Sequence, residues 1–292
     1  MAAGFTISRF VIIQSLEPHE VQTGQILVDL LTALLREYEP TLNVVSLSCS
    51  SALEFRRLLD DLIHEAAADG DRPVIHIECH GSQTEGIEFE NGSTLGWQEC
   101  GELLTQLNIA TRFNLLVVLA ACYGAYLNGQ YSPIKPSPAF CIVAPTEEID
   151  PADAIGGFRT FYTQLLQTGD AGLASSALAK LTISSGRWFS QLAEDWFVDL
   201  VDNYIKSHLN RSALEAWARS LSRRLRKSGQ VASVGSTKRK LLHQNREGLT
   251  GKYFDCFFCT SEVPECSSRF SATRERIQET VAALRATGQY MI

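Results

Sequence analysis

The sequence predicts an α/β protein built on a central, mostly parallel sheet flanked by helices. Three observations predict it. Short β-branched runs alternate with amphipathic segments through residues 5 to 168. One run, "NLLVVLAA" (114 to 121), is apolar throughout, as a strand buried on both faces should be. Two consecutive core strands end in a polar residue with glycine close behind, at His80-Gly81 and at Cys122-Tyr123-Gly124. In parallel sheets the carboxyl ends of the strands are where ligands bind.

Residues 5 to 14 read as the first strand. A helix follows at about 18 to 37, because Leu27, Leu30, Leu31, Leu34 and Tyr38 line one face and Pro40 stops it. "LNVVSLSC" (42 to 49) is a second strand. Ser50 or Ser51 could cap the next helix, whose face carries Phe55, Leu58, Leu59 and Leu62. "VIHIEC" (74 to 79) is the third strand. "GIEFENGSTLGW" alternates apolar and polar around Asn91-Gly92, a hairpin signal. A helix at about 97 to 108 leads to the fourth strand (114 to 121), and "AFCIVAP" (139 to 145) is the fifth. Asp153 could open a helix carrying Ile155, Phe158 and Tyr162.

Beyond residue 170 the pattern turns helical. Phe197, Leu200, Val201 and Tyr204 mark one face; Leu214, Trp217, Leu221 and Leu225 mark another. "RRLRKSGQVASVGSTKRK" (223 to 240) reads as a mobile basic loop, "KYFDCFFCT" as a late strand returning to the sheet, and 271 to 286 as a final helix. The expected organisation is therefore a single domain over 1–292. A catalytic core occupies 1–169, a helical region 170–250, and a return strand with the last helix 251–292.

Composition narrows the function. The 292 residues carry a net charge of −7, so no global basic field attracts nucleic acid. No apolar run suits a membrane span, and the start lacks a signal peptide's basic residues. Eight cysteines in a chain this long read as reduced thiols in a cytoplasmic setting.

The two strand ends read as chemistry when taken together. Strands that are neighbours lie about 4.8 Å apart, so side chains at their ends can meet. A cysteine attacks as its thiolate, and an imidazole beside it can take the proton. Acyl transfer also needs backbone N–H groups aimed at the developing oxyanion. Gly81 lacks a Cβ and lets a carbonyl approach; the N–H of Cys122 is a second donor, and Gly124 relieves crowding beyond the nucleophile. Taken singly, the same residues would be a hydrogen-bonded histidine and a packed thiol.

"IHIECHGSQTEGIEFENGSTLGWQE" followed by "RFNLLVVLAACYGA" resembles the CHAT branch of the caspase-like cysteine peptidases, the clan of caspases, separase and metacaspases. Its pattern is a strand ending His-Gly, a hairpin, a helix, and a strand ending in the nucleophilic Cys. The family motif is often written aCxsG; here it is "ACYGA", with the glycine one residue early. "DAIGGFRTFYTQLLQTGD" resembles the family's helix after the fifth strand, and "FFCTSEVPECSSRF" resembles a closing segment of bacterial caspase-like proteins. The resemblance implies a caspase-like fold and cysteine endopeptidase activity. His80 would be the general acid/base, Cys122 the nucleophile, and the Gly81 and Cys122 N–H groups the oxyanion hole. It implies a protein substrate cleaved in bacterial or antiviral defence, an activating partner, and no metal or organic cofactor. The turn "CIVAPTEEIDPADA" resembles that of separase and its Arg-specific relatives. It holds Glu147, Glu148, Asp150 and Asp153 and no basic residue. Arg or Lys before the scissile bond is thus expected, with Asp150 as first contact and Glu148 as second. The alternative is that these acids solvate a loop and cap the next helix, Asp153 especially, with an apolar pocket that prefers Leu or another neutral residue. A non-enzymatic reading, an inactive caspase-like domain that binds proteins, stands beside it.

Other signals are weaker. Cys256-x-x-Cys259 with Cys266 and His243 has zinc-like spacing, but a strand would point the pair to opposite faces. "His76-Ile-Glu78" with that pair echoes a zinc deaminase signature, with Asp255 where proline belongs. "HIECH" is not the HExxH helix motif. His76 reads as core or as support for the site. Cys79 and Cys141 read as core thiols, and Trp188, Trp196 and Trp217 as helix packing. The basic 223–240 run reads as a solvated loop, with a regulatory cleavage site or an anionic-partner surface as the alternatives.

Overall fold

The computed structural model of the protein describes residues 5–130 and 133–292. The chain divides into two compact units. The first comprises Met1–Tyr131 and Ser137–Ala193, the second Ser132–Pro136 and Glu194–Ile292.

The first unit is the predicted α/β layer structure. Its elements are β1 (Arg9–Gln14), α1 (Thr23–Tyr38), β2 (Val44–Ser48), α2 (Ala52–Asp69) and β3 (Pro73–Glu78). A small antiparallel sheet follows, β4 (His80–Ser82), β5 (Gly86–Glu88) and β6 (Thr94–Leu95). Next come α3 (Trp97–Ala110), β7 (Leu116–Leu119), β8 (Cys141–Pro145), α4 (Pro151–Thr168), α5 (Ala171–Ala179) and β9 (Trp188–Leu192). The main sheet has six strands in the order β2-β1-β3-β7-β8-β9. All its pairings are parallel except β8 with β9.

Helices cover both faces: α1 packs with α4, and α2 with α3. All four residues of β7 are wholly buried, as is Val11 to Ile13 of β1. Burying each such side chain stabilises the unit by about 1.5–3 kcal/mol. Ser51 is the cap of α2, its side chain accepting from the Glu54 N–H. The Asn91-Gly92 turn closes the β5–β6 hairpin.

The second unit is helical: α6 (Ala193–His208), α7 (Arg211–Lys227), α8 (Val234–Glu247), α9 (Tyr253–Phe257), α10 (Cys266–Arg269) and α11 (Ser271–Ala286). Three expectations change here. The run 223–240 is not one loop. α7 extends to Lys227 because Leu221 and Leu225 continue its apolar side, and Ser233 forms a capping box that starts α8. "KYFDCFFCT" is not a strand. Phe254, Phe257 and Phe258 fall at i, i+3, i+4, are all buried, and cluster with Phe197 and Phe270. Helical spacing thus overrides aromatic strand preference. The late strand that does join the sheet is β9, an edge strand half-exposed along its whole length. It carries Trp188, which the sequence reading placed on a helix, and Trp217 on α7 is 36% exposed rather than packed away. Among the described residues no helix is long and apolar enough to cross a membrane.

Candidate active site

β3 and β7 are hydrogen-bonded neighbours, with Ile77 opposite Leu119 and the Ala120 N–H donating to the Ile77 carbonyl at 2.8 Å. Both chains then leave the sheet at its carboxyl edge. His80 stands two residues past β3, and Cys122 three residues past β7. The backbones meet there. A Cβ built on Gly81 would lie 2.1 Å from the Cys122 carbonyl oxygen, so only glycine fits. A Cβ on Gly124 would come within 3.0 Å of the Ala144 Cβ, which explains the second glycine by close packing.

Tyr123, directly after Cys122, has φ 60°. Left-handed backbone costs a bulky residue about 1–2 kcal/mol, and such outliers gather at functional turns. Its N–H donates to the Glu147 carbonyl at 3.2 Å, and its hydroxyl donates to Glu148 Oε1 at 3.3 Å. Desolvation first and the Glu148 charge second push its phenol pKa up, so it remains a neutral donor. No sequence signal marks this turn. Among the described residues the Cys122 N–H donates no hydrogen bond.

The Cys122 thiol is half-buried; of the other seven cysteines only Cys256 is not fully buried, and its sulfur donates to the Ile134 carbonyl at 3.2 Å. Burial pushes the Cys49 thiol up to about 11 and those of Cys100, Cys141 and Cys259 to about 12, and it holds Cys79 well above the usual range. These are inert core thiols. Among the described residues no group of three or more His, Cys, Asp or Glu is placed to hold a metal.

The His80 ring is 52% exposed, and its Nε2 lies 2.8 Å from Glu20 Oε1. It forms no hydrogen bond to Cys122. Glu20 sits between β1 and α1, and the sequence reading did not single it out. Below it, on the same side of β3, lies a fully buried polar chain. His76 Nδ1 is 3.0 Å from the Tyr162 hydroxyl, His76 Nε2 is 2.8 Å from Glu78 Oε1, and the Thr23 hydroxyl donates to Glu78 Oε2 at 2.7 Å. Thr23 is the first residue of α1, so this network ties the segment carrying Glu20 to β3.

The two acidic candidates separate. Asp150 caps α4, its carboxylate accepting from the Ala152 N–H at 2.8 Å. Asp153 accepts from the N–H and hydroxyl groups of both Ser184 and Ser185. Glu148 is the carboxylate held beside the residue that follows Cys122.

No protein-family model matches the chain, and no curated protein matches it. A similar solved structure is that of a secreted C11 cysteine protease, iotapain, from Bacteroides thetaiotaomicron. The identity is 9% and the TM-score 0.47, with 69% of this chain and 71% of that chain covered.

Proposed function

We propose that the chain is a cysteine endopeptidase with Cys122 as nucleophile and His80 as general acid/base. The observation that supports the reading is the close approach of Gly81 to the Cys122 carbonyl, which brings a histidine-bearing and a cysteine-bearing strand end near one another. In this reading Glu20 accepts from the Nε2–H of His80, 2.8 Å away, and Nδ1 is the nitrogen turned to the thiol proton. His80 takes the thiol proton, and the thiolate of Cys122 attacks the scissile carbonyl carbon. The oxyanion accepts from the N–H groups of Gly81 and Cys122. Collapse breaks the C–N bond, the imidazolium gives its proton to the leaving amine, and a thioester remains. Water, deprotonated by His80, then hydrolyses the thioester and restores the thiol.

For the residue before the cut, Glu148 is the better anchor for Arg or Lys. Asp150 is engaged as a helix cap, and its role is the second choice. The substrate would be a protein, and a role in defence follows from the CHAT resemblance alone. A second reading is an inactive caspase-like domain that binds proteins. It draws on His80 being held by Glu20 with no hydrogen bond to Cys122, although dyad bonds are often long before substrate arrives.

The test is an electrophilic peptide probe with Arg next to the reactive carbon, followed by peptide mapping. Labelling of Cys122 alone among the eight cysteines supports the peptidase. A probe that ignores Cys122 while the chain still binds protein partners favours the second reading.

A further inference from the structure

The two units differ in charge. The first holds 9 Lys+Arg against 22 Asp+Glu, a net −13; the second holds 17 against 11, a net +6. The overall −7 is the sum of opposite signs and hides a basic unit. α7 and α8, which pack together, alone hold 10 Lys+Arg against 2 Glu, a net +8. The Ser222 hydroxyl donates to the Ala232 carbonyl at 3.0 Å, so the connection doubles back and α8 returns along α7. Arg223, Arg224 and Lys227 on α7 and Arg239, Lys240 and Arg246 on α8 are all exposed.

The acids present do not neutralise these cations. Glu215 pairs with Arg219 and Lys238, and Glu247 with Lys252 and His243. Among the described residues no ion pair reaches Arg223, Arg224, Lys227, Arg239, Lys240 or Arg246. The last turn of α7 gains some stability from cations near its carboxyl end. That account does not extend to Arg239 and Lys240, which lie in the second turn of α8.

From this charge pattern we infer that the α7–α8 hairpin binds the phosphate backbone of a nucleic acid. The partner's class follows from what the hairpin exposes. A protein interface needs desolvated apolar anchors at its centre. Here Leu214 and Ala218 are turned wholly inward, and Trp217 and Val231 are the large apolar residues left exposed. A membrane-lying helix would present its apolar side outward instead. Nucleic-acid interfaces are polar and positive, and arginine's planar fork suits phosphate. Trp217 stands seven residues before Arg224, on the same side of α7, and gives one unpaired base a surface on which to stack. Arg239, His243 and Arg246 follow at i, i+4, i+7 on α8, so the two arginines are about 10 Å apart. This binding is independent of the peptidase reading.

The test measures fluorescence anisotropy of the full chain with labelled U20 RNA, dT20 DNA and a 20-base-pair duplex. About five backbone contacts predict a loss of roughly 100-fold in affinity for U20 between 50 and 200 mM salt. The set Arg223→Glu, Arg224→Glu and Lys227→Glu should weaken binding at least tenfold and flatten the log–log salt slope by about two. Arg239→Glu with Arg246→Glu should act in the same direction. Neutral Gln versions, checked by circular dichroism melts, separate lost contacts from lost folding. Trp217→Ala should weaken U20 and dT20 more than the duplex. A control set, Arg36→Glu, Lys180→Glu and Arg285→Glu, changes net charge equally and should alter affinity less than threefold. Cys122→Ala protein should bind as the parent does. Tighter binding of U20 than dT20 assigns the face to RNA, and equal binding assigns it to the shared backbone. The inference is overturned by no binding at 50 mM salt, by hairpin variants no weaker than the control set, or by a 20-residue poly-glutamate binding as tightly as U20.

Discussion

The two units carry opposite net charge, −13 and +6, and the charged groups singled out in each are placed differently. Around the candidate site of the first, acids and polar groups have named partners: Glu20 contacts His80, Glu78 bridges His76 and Thr23, and Asp153 gathers Ser184 and Ser185. These bonds hold loops at the carboxyl edge of a rigid sheet. In the second unit the core is an aromatic cluster around Phe197, Phe257 and Phe258, and among the described residues no ion pair reaches Arg223, Arg224, Lys227, Arg239, Lys240 or Arg246 of α7 and α8. Partnered charge positions chemistry, whereas unpartnered charge of one sign attracts something from outside. The candidate site of the first unit is therefore read through its geometry, and the α7–α8 hairpin of the second through its field.

The comparison breaks most visibly at the proposed nucleophile. Cys122→Ala and His80→Ala should each lower cleavage of an Arg-containing fluorogenic peptide by at least ~10³-fold. Neither side chain fills core volume, so the melting temperature should hold within a few degrees. Wild-type turnover by purified Cys122→Ala protein would move the nucleophile elsewhere. Gly81→Ala comes next. Its Cβ must displace the Cys122 carbonyl, which would shift a proposed oxyanion donor, and the expected loss is about 10²-fold in kcat with KM little changed. An alanine variant of full activity would mean that the two strand ends do not form one site.

How much of this was legible beforehand follows the same division. The sheet and its site rest on periodicity and on glycines, both visible in the sequence; α11 at Ser271–Ala286 coincides with its expected range. His80, Cys122 and Gly81 could be paired because strand ends on neighbouring strands converge whatever the loops do. Glu20 could not, because it enters from the loop after β1 and nothing local distinguishes it from Glu17. The Tyr123 turn was equally hidden, since positive φ at a tyrosine contradicts its own preference. In the second unit the Ser/Gly-rich run concealed a capping box, and tertiary aromatic packing made a helix of Tyr253–Phe257. Total charge concealed the most, because it added two units of opposite sign.

A smaller effect sharpens the account of specificity. Glu148→Gln keeps shape and a hydrogen-bond acceptor for Tyr123 but removes the charge. The expected result is about a tenfold drop in kcat/KM for Arg and Lys peptides and none for Leu peptides, equivalent to about 1.4 kcal/mol. Asp150→Ala should instead cost stability, on the order of 1 kcal/mol as a lost cap, with the preference between Arg and Leu unchanged. A preference that follows Asp150 and ignores Glu148 would reverse the assignment of the anchor.

The smallest expected effect concerns pH and Asp153. Hydrogen bonds from Ser184, then Ser185, hold its carboxyl below the ordinary value of 3.8, although the residue is at the surface. The folded state thus binds its proton less readily than the unfolded chain. Stability from this carboxylate is then fully present above the unfolded value and is lost as pH falls through the lower, folded one. Asp153→Asn should remove that contribution. Its melting temperature should sit slightly below the parent's at pH 7, and the two should converge as pH drops below 3.8. The Ser184–Ser185 segment lies in the first unit, so hydrogen exchange should rise there and not along α7 and α8. A pH-independent gap between the two proteins, or one that widens in acid, would show that the serines do not favour the charged form.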